Sequence, residues 1–188
     1  YGPLSTLLLL MNNETFELFF SMLSVALLAG TLVVLAARLL YSRSSSARTI
    51  VSAFAPWALP LAAAVTTTCA LGSLYFSEIV NYKPCIMCWY QRIMMYPLAI
   101  ILIIAALRKD WKVKYYAVPL AAIGAVIASY HWLLERFPNL ESGVCDVDVP
   151  CEFVWFELFG FVTLPFMALT AFIAVIVFTT LPTQPTEQ

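Results

Sequence analysis

The sequence predicts an all-α, polytopic membrane protein: a four-helix transmembrane bundle with one extra transmembrane helix at the N-terminus. The chain has 188 residues, of which 62% are hydrophobic and only 11% are charged, whereas soluble domains carry about 25% charged residues. So few charged residues cannot form a protein surface that is exposed to water on all sides. The apolar residues are collected in long segments, and lipid leaves the backbone groups of such segments no partners except those within a helix.

Five segments are predicted to span the membrane: 18–37, 49–77, 84–107, 115–134 and 158–181. Arg92 is the only Asp, Glu, Lys or Arg within them. Glu14 and Glu17 precede the first segment, which argues against a signal peptide because signal peptides begin with basic residues. We therefore predict an extra helix with a basic linker over 1–53, a four-helix domain over 54–181, and a short cytoplasmic tail over 182–188.

Basic residues predict the orientation, because short loops rich in Lys and Arg stay in the cytoplasm. Two predicted loops carry them: Arg38, Arg43 and Arg48 follow the first segment, and Arg108, Lys109, Lys112 and Lys114 follow the third. The loop 135–157 instead carries six acids against one Arg. We expect a protein of the cell membrane whose loops 78–84 and 135–157 face the extracytoplasmic side.

Four of the five cysteines lie in or beside these two outer loops, on the side of a membrane where disulfides persist. Cys85 and Cys88 form a C-x-x-C at the predicted start of the third helix, and Cys145 and Cys151 form a C-x5-C in the acidic loop. A helix N-terminus stabilises a thiolate, and a stabilised reduced form makes the disulfide more oxidising. We interpret Cys85 and Cys88 as a reactive pair, and Cys69, in mid-span, as a buried apolar residue.

Other interpretations of the cysteines stay open at this point. Asp146 and Asp148 disfavour a thiolate nearby, so the loop pair is expected to rest as a disulfide. Four cysteines could bind zinc, although the spacing of the second pair suits zinc poorly. Two static structural disulfides would also satisfy the pattern. A c-type haem would need His after the C-x-x-C, and Trp89 stands there.

Arg92 lies four residues after Cys88 and seven after Cys85, so the three share one helix face. A charge within a membrane span is energetically costly and usually functional. The guanidinium of arginine is a forked hydrogen-bond donor, which suits binding to a carbonyl or an anion. We therefore predict a ligand role for Arg92, with anchoring to lipid headgroups as the alternative. His131, the only histidine, either delivers protons or is hydrogen-bonded within the bundle.

Several stretches resemble the DsbB family of disulfide bond formation proteins, and its BdbC-like branch in particular. The most specific are LGSLYFSE at 71–78 and PCIMCWYQRIMMYP at 84–97. Ser129-Tyr-His131, the loop pair Cys145/Cys151 and WFELFGFVTLP at 155–165 fit the same family. The resemblance covers about Ala55 to Phe178. The first predicted span is a departure, because members of the family usually have four.

The resemblance implies a quinone-dependent enzyme that reoxidises an extracytoplasmic DsbA- or BdbD-like thioredoxin-fold protein. Electrons would leave through a membrane quinone, ubiquinone or menaquinone, in support of disulfide formation in exported proteins. By analogy, Cys145 would form the mixed disulfide, Cys151 would resolve it, and Cys85/Cys88 would receive the electrons. Cys88 would lie beside the quinone ring, with Arg92 at a quinone oxygen and His131 nearby. No metal site and no nucleic-acid partner are predicted.

Two competing functions are weighed against this one. The vitamin K epoxide reductase family also combines a helical bundle, a C-x-x-C, loop cysteines and a quinone, but there the loop pair precedes the C-x-x-C in the chain. Here the loop pair follows it. A membrane scaffold with structural disulfides is the other alternative, and both the position of Arg92 and that of Cys85 argue against it.

Overall fold

Five α-helices make up the protein in the computed structural model, which describes residues 3–141, 143–145 and 149–181, with side chains from residue 13 onward. They are α1 (Pro3–Leu39), α2 (Ser45–Leu74), α3 (Ile86–Arg108), α4 (Lys114–Arg136) and α5 (Leu164–Thr179). Across the described ranges, extended pairing is limited to one isolated bridge between Leu158 and Val162. The predicted all-α class is confirmed.

Four helical segments are long and apolar enough to cross a membrane: Asn13–Leu39, Ser45–Ile79, Ile86–Arg108 and Trp111–Arg136. The second includes a π-helical turn, Tyr75–Ile79, that extends α2. The fifth predicted segment, 158–181, gives a shorter apolar helix of 16 residues. Its first residues instead form a turn with positive φ at Phe159 and Gly160, and α5 begins with Pro165 in its first turn, where a missing N–H costs little.

The short helix α5 lies inside the bundle, packed against α1, α2 and α4. Nine of its sixteen residues are buried, so neighbouring helices rather than lipid surround most of its length. Its Phe172 ring fits against Gly124 of α4, where an added Cβ would lie 2.3 Å from the ring. A small residue at such a point lets two helices approach closely. Position 124 therefore has to be glycine for this packing of α4 on α5.

The N-terminal helix α1 packs along α2 and α5. Its buried face consists of small or branched residues: Ser21, Ser24, Thr31, Val34 and Ala37. At one end Arg38 donates a hydrogen bond to the Thr180 hydroxyl, and at the other the Tyr82 phenol donates one to Glu17. Helix α1 is thus joined by hydrogen bonds at both ends, to the end of α5 and to the segment before α3.

Candidate functional site

The C-x-x-C pair forms the start of α3. Cys85 is the N-cap residue with an extended backbone, and its sulfur accepts a hydrogen bond from the backbone N–H of Cys88 at 3.3 Å. The two sulfur atoms lie 2.9 Å apart. Cys85 is buried, whereas Cys88 is partly exposed. Pro84 precedes the pair and lacks the N–H that would otherwise be left over at this helix start.

The surroundings of Cys85 favour its thiolate. The hydrogen bond from the Cys88 thiol is the largest cause, and together with a hydrogen bond from His131 it lowers the pKa of Cys85 to about 4, against the opposing effect of burial. Thiolate is the nucleophilic form of cysteine, and a low pKa also makes a sulfur a good leaving group. Cys85 is therefore suited to thiol–disulfide exchange.

His131 of α4 contacts both cysteine pairs. Its Nε2 lies 3.6 Å from the Cys85 sulfur and 3.2 Å from the backbone carbonyl oxygen of Cys151. The Gln91 amide donates to Nδ1 at 2.9 Å. A carbonyl oxygen only accepts hydrogen bonds and an amide NH₂ only donates them, so both contacts require the tautomer with the proton on Nε2. His131 is buried and presents an N–H to the sulfur of Cys85.

The loop pair is joined in a disulfide between Cys145 and Cys151. Cys145 is half-buried and follows two exposed residues, whereas Cys151 is fully buried. Asp146 and Asp148, the acidic neighbours of the pair, lie outside the described residues. Cys151 shares one buried cluster with Cys85, and Cys88 and Cys145 pack against that cluster. The fold therefore brings all four outer cysteines together.

A cavity of about 410 Å³ lies next to Cys88, lined by residues of α1, α2, α3 and α5 and of the segment from Tyr82 to Pro84. Ligand pockets commonly have volumes of about 300–1,000 Å³ and mostly apolar walls with a few polar groups. Most of the walls are apolar here too, and Arg92 and Cys88 both line them. Cys69 lines the cavity as well, packed against the core of the bundle.

Arg92 is fixed in the cavity wall by contacts with α2. Its Nε donates to the Ser73 hydroxyl at 2.9 Å and its Nη2 to the Ser73 carbonyl at 3.1 Å. Its guanidinium also lies 5.2 Å from the centroid of the Trp89 ring. Among the described side chains, no carboxylate forms an ion pair with it. The cation is therefore positioned but not neutralised.

The structure separates the predicted site residues into two groups. Arg92 and Cys88 line the cavity, whereas Cys85 and His131 are not among the described residues of its wall. The predicted quinone role of His131 stays a prediction, since its contacts are with sulfur, Gln91 and the Cys151 carbonyl. Sequence reasoning missed Gln91 and Ser73. Their one signal was that they are polar residues within apolar segments: Gln91 is next to Arg92, and Ser73 lies two residues before the π-helical turn.

Cys85, Cys88 and His131 also have the residue types of a metal site, with ligand atoms within 4.8 Å of one another. Two thiolates in a tetrahedral zinc site lie roughly 3.7 Å apart, given Zn–S bonds of about 2.3 Å. The two sulfurs here are 2.9 Å apart, and the Nε2 of His131 carries a proton towards a carbonyl. These contacts fit a dithiol pair better than a metal centre.

Known proteins similar to this chain share its region of α2 to α5. The family model described as "Disulfide bond formation protein DsbB" matches residues 55–181. Disulfide bond formation protein C of Bacillus subtilis (strain 168) is 48% identical over 131 residues, which cover 69% of this chain and 90% of that protein. Probable disulfide formation protein C 1 of Bacillus anthracis is 46% identical over 108 residues, covering 57% and 78%. No solved structure gives a significant match.

The family match includes the C-x-x-C, the loop pair and Arg92, and it begins after α1. It agrees with the motifs at 71–78 and 84–97 and with the helical membrane bundle. This chain therefore belongs to the DsbB family, and its role is in disulfide bond formation.

Proposed function

We propose that this chain is a quinone-coupled thiol:disulfide oxidoreductase that reoxidises an extracytoplasmic DsbA- or BdbD-like thioredoxin-fold protein. The observation that carries the proposal is a continuous series of contacts. It runs from the half-buried Cys145 through the loop disulfide and the buried Cys151 to Cys85, and ends at Cys88 on the wall of an apolar cavity. A scaffold with structural disulfides has no need of a free thiol pair with one of its sulfurs at such a wall.

The loop pair takes the electrons of the partner. A partner thiolate attacks the half-buried Cys145 sulfur, the Cys145–Cys151 bond breaks, and Cys151 leaves as a thiolate. The second partner thiol then attacks the mixed disulfide, so the partner gains its disulfide and Cys145 leaves as a thiolate. The loop pair now holds the two electrons. Burial of Cys151 keeps the partner from reaching its sulfur and directs the attack to Cys145.

The second exchange passes those electrons to the C-x-x-C pair. The Cys151 thiolate attacks Cys85 of an oxidised Cys85–Cys88 pair, and Cys88 leaves as a thiolate at the cavity wall. Cys145 then attacks Cys151, which restores the loop disulfide and releases Cys85. The low pKa of Cys85 makes it a good leaving group in this last step. We assign His131 to this exchange, because its Nε2–H faces the Cys85 sulfur.

The cavity has the properties that a quinone site needs. Its walls are mostly apolar, its volume of about 410 Å³ suits a quinone ring with the start of its tail, and Cys88 and Arg92 line it together. A bound quinone would act as the oxidant, accepting the two electrons and two protons that Cys85 and Cys88 release when they return to a disulfide. Arg92 would provide an unneutralised cation at the cavity wall, and a preorganised cation in an apolar site stabilises developing negative charge strongly.

We further propose that the protein resides in the cell membrane with its four reactive cysteines on the extracytoplasmic face. The basic residues after α1 and α3 support this orientation. Single cysteines introduced at the exposed Asn139 and Ser45, in a protein without other reactive thiols, test it. An impermeant maleimide applied to intact cells should label Asn139→Cys and spare Ser45→Cys, and the reverse pattern would invert the orientation.

The proposed function is tested by anaerobic oxidation of a reduced thioredoxin-fold partner by the purified protein. With added decylubiquinone or a short-chain menaquinone, we expect many partner molecules oxidised per enzyme and an equal amount of quinone reduced. Without quinone, the reaction should stop once the disulfides of the enzyme are consumed. A partner that is oxidised at the same steady rate without any quinone would contradict quinone coupling.

A further inference from the structure

The cavity beside Cys88 has a wall that the family match does not include. Helix α1 contributes Phe20, Leu23, Ser24 and Leu27 to its lining, while the match begins at residue 55. Because α1 packs against both α2 and α5, it covers the seam between these two helices. Without it, the cavity would be open to lipid along that seam.

Phe20 packs against a glycine of α2. Its ring lies against Gly72 of α2, where an added Cβ would be 2.9 Å from the ring. Gly72 immediately precedes Ser73, the residue that holds the Arg92 guanidinium. The Phe20 ring also lies 5.6 Å from Phe76, centroid to centroid. Phe20 is therefore packed into the same part of the cavity as the cation that the proposed quinone would contact.

Helix α1 also holds the outer end of the cavity. The Tyr82 phenol donates a hydrogen bond to Glu17, and the Tyr82 ring stacks on Trp155 with centroids 4.5 Å apart. Tyr82 and Trp155 both line the cavity. Burial, together with the hydrogen bond and charge of Glu17, raises the pKa of Tyr82, so the phenol stays protonated as the donor. A carboxylate of α1 thus fixes one of the aromatic rings that close the cavity.

One side chain on this wall has a hydrogen-bonding group to spare. Ser24 lines the cavity, and its buried hydroxyl has no hydrogen-bond partner among the described residues. Buried polar groups nearly always have a partner. A polar ligand atom at this wall would supply one, which makes Ser24 a second point at which α1 meets the ligand.

We propose that α1 forms part of the quinone-binding site, with Phe20 as the positioning residue that holds the quinone against Arg92 and Cys88. This inference rests on the proposed quinone coupling. It assigns the N-terminal helix a role in binding the acceptor, beyond that of a membrane anchor. Loss of the Phe20 ring should leave exchange between the partner and the cysteines intact, because the buried cluster that joins the two cysteine pairs includes no described residue of α1.

The test compares Phe20→Ala with Phe19→Ala in the full-length protein. Phe19 is the adjacent residue of the same type, but it is exposed and does not line the cavity. Binding of decylubiquinone to the detergent-solubilised protein is measured by quenching of tryptophan fluorescence, since Trp155 lies in the wall. We expect Phe20→Ala to weaken binding, and to raise KM for the quinone, by roughly threefold to tenfold, as loss of an aromatic contact typically does. Phe19→Ala should match the parent.

A second variant and a labelling experiment keep the test decisive. Phe20→Leu preserves an apolar side chain and should give an intermediate affinity, and stoichiometric oxidation of the partner without quinone shows that each variant is folded. A photoactivatable azidoquinone should label a peptide that contains residues 20–27. Equal quinone affinities for the parent, Phe20→Ala and Phe19→Ala, with no label on that peptide, would overturn the role of α1. A parent that binds no quinone would instead overturn the proposed function itself.

Discussion

The two cysteine pairs lie in one cluster but differ in what surrounds each sulfur. In the loop pair, Cys145 is half-buried next to exposed residues and Cys151 is fully buried. In the helix pair, Cys85 lies within the protein beside His131, whereas Cys88 borders the cavity. In the proposed relay, one cysteine of each pair would react with the preceding reactant and the other with the next. This difference would direct electrons from the loop pair to the helix pair and then to the cavity.

Serine replacements in the helix pair should have the largest effect on this relay. We expect Cys85→Ser and Cys88→Ser to lower quinone-dependent turnover by roughly a hundredfold or more, because a redox-active disulfide acts as a unit. Cys69→Ser is the matched control: it removes a cysteine that also lines the cavity but has no sulfur partner. The steady-state rate of partner oxidation is measured for all three variants. Near-normal turnover in Cys88→Ser would contradict the proposed role of the helix pair in the relay.

Arg92→Ala should separate the two halves of the reaction. Losing a hydrogen bond to a charged group costs about 1.5–3 kcal/mol, so the quinone-dependent steady-state rate should fall by roughly tenfold to a hundredfold. The first, stoichiometric oxidation of the partner should persist, since it uses only the loop pair. Arg92→Lys keeps the positive charge but lacks the forked guanidinium. Its quinone-dependent steady-state rate should therefore lie between those of the parent and Arg92→Ala. Stopped-flow traces with limiting quinone follow both phases in one preparation. A headgroup anchor predicts no selective loss of the second phase.

The smallest expected effect concerns the pH dependence of Cys85. Its pKa of about 4 lies below the usual thiol value, so thiolate predominates above about pH 5 and is lost as the pH falls through 4. In the reduced protein, the rate of Cys85 alkylation by iodoacetamide should therefore be nearly constant from about pH 5 to 8, whereas an ordinary thiol, of pKa about 8.5, becomes steadily more reactive as the pH rises over that range. Peptide mass spectrometry distinguishes Cys85 from Cys88.

Replacing His131 sharpens the same measurement. His131→Ala removes one hydrogen bond to the Cys85 sulfur but leaves the larger contribution from Cys88, so the alkylation midpoint should rise by about one pH unit. Gln91→Ala should raise the alkylation midpoint less, because it removes only the hydrogen bond that orients the His131 ring. An unchanged midpoint in His131→Ala would remove His131 from the thiol chemistry and return it to a purely structural role.

Much of this site could be predicted because its signals are local in sequence. Long uncharged segments require helices in lipid, the C-x-x-C after Pro84 requires a helix start, and the spacing of Arg92 from Cys88 fixes a shared face. Each of these signals lies within one continuous segment, and the last two depend on residues within about two helical turns of one another.

The features that escaped prediction depend on contacts between distant segments. Nothing in the composition of α1 indicates that Phe20 packs on Gly72 at the seam of α2 and α5. The proton on Nε2 of His131 depends on Gln91 of α3 and on the Cys151 carbonyl, 40 and 20 residues away. The later start of α5 was missed because residues 158–163 are mostly apolar but form a turn in which Phe159 and Phe161 are exposed, and hydropathy alone cannot distinguish such a turn from a helix.

The order of reduction of the two pairs tests the central claim most directly. The oxidised, unaltered protein is mixed with excess reduced thioredoxin-fold partner without quinone, quenched in acid at millisecond intervals, alkylated and analysed by peptide mass spectrometry. We predict that Cys145 and Cys151 become reduced first and that electrons then accumulate on Cys85 and Cys88. Added quinone should reoxidise the helix pair before the loop pair. Reduction of Cys85 and Cys88 before or without the loop pair would contradict the relay.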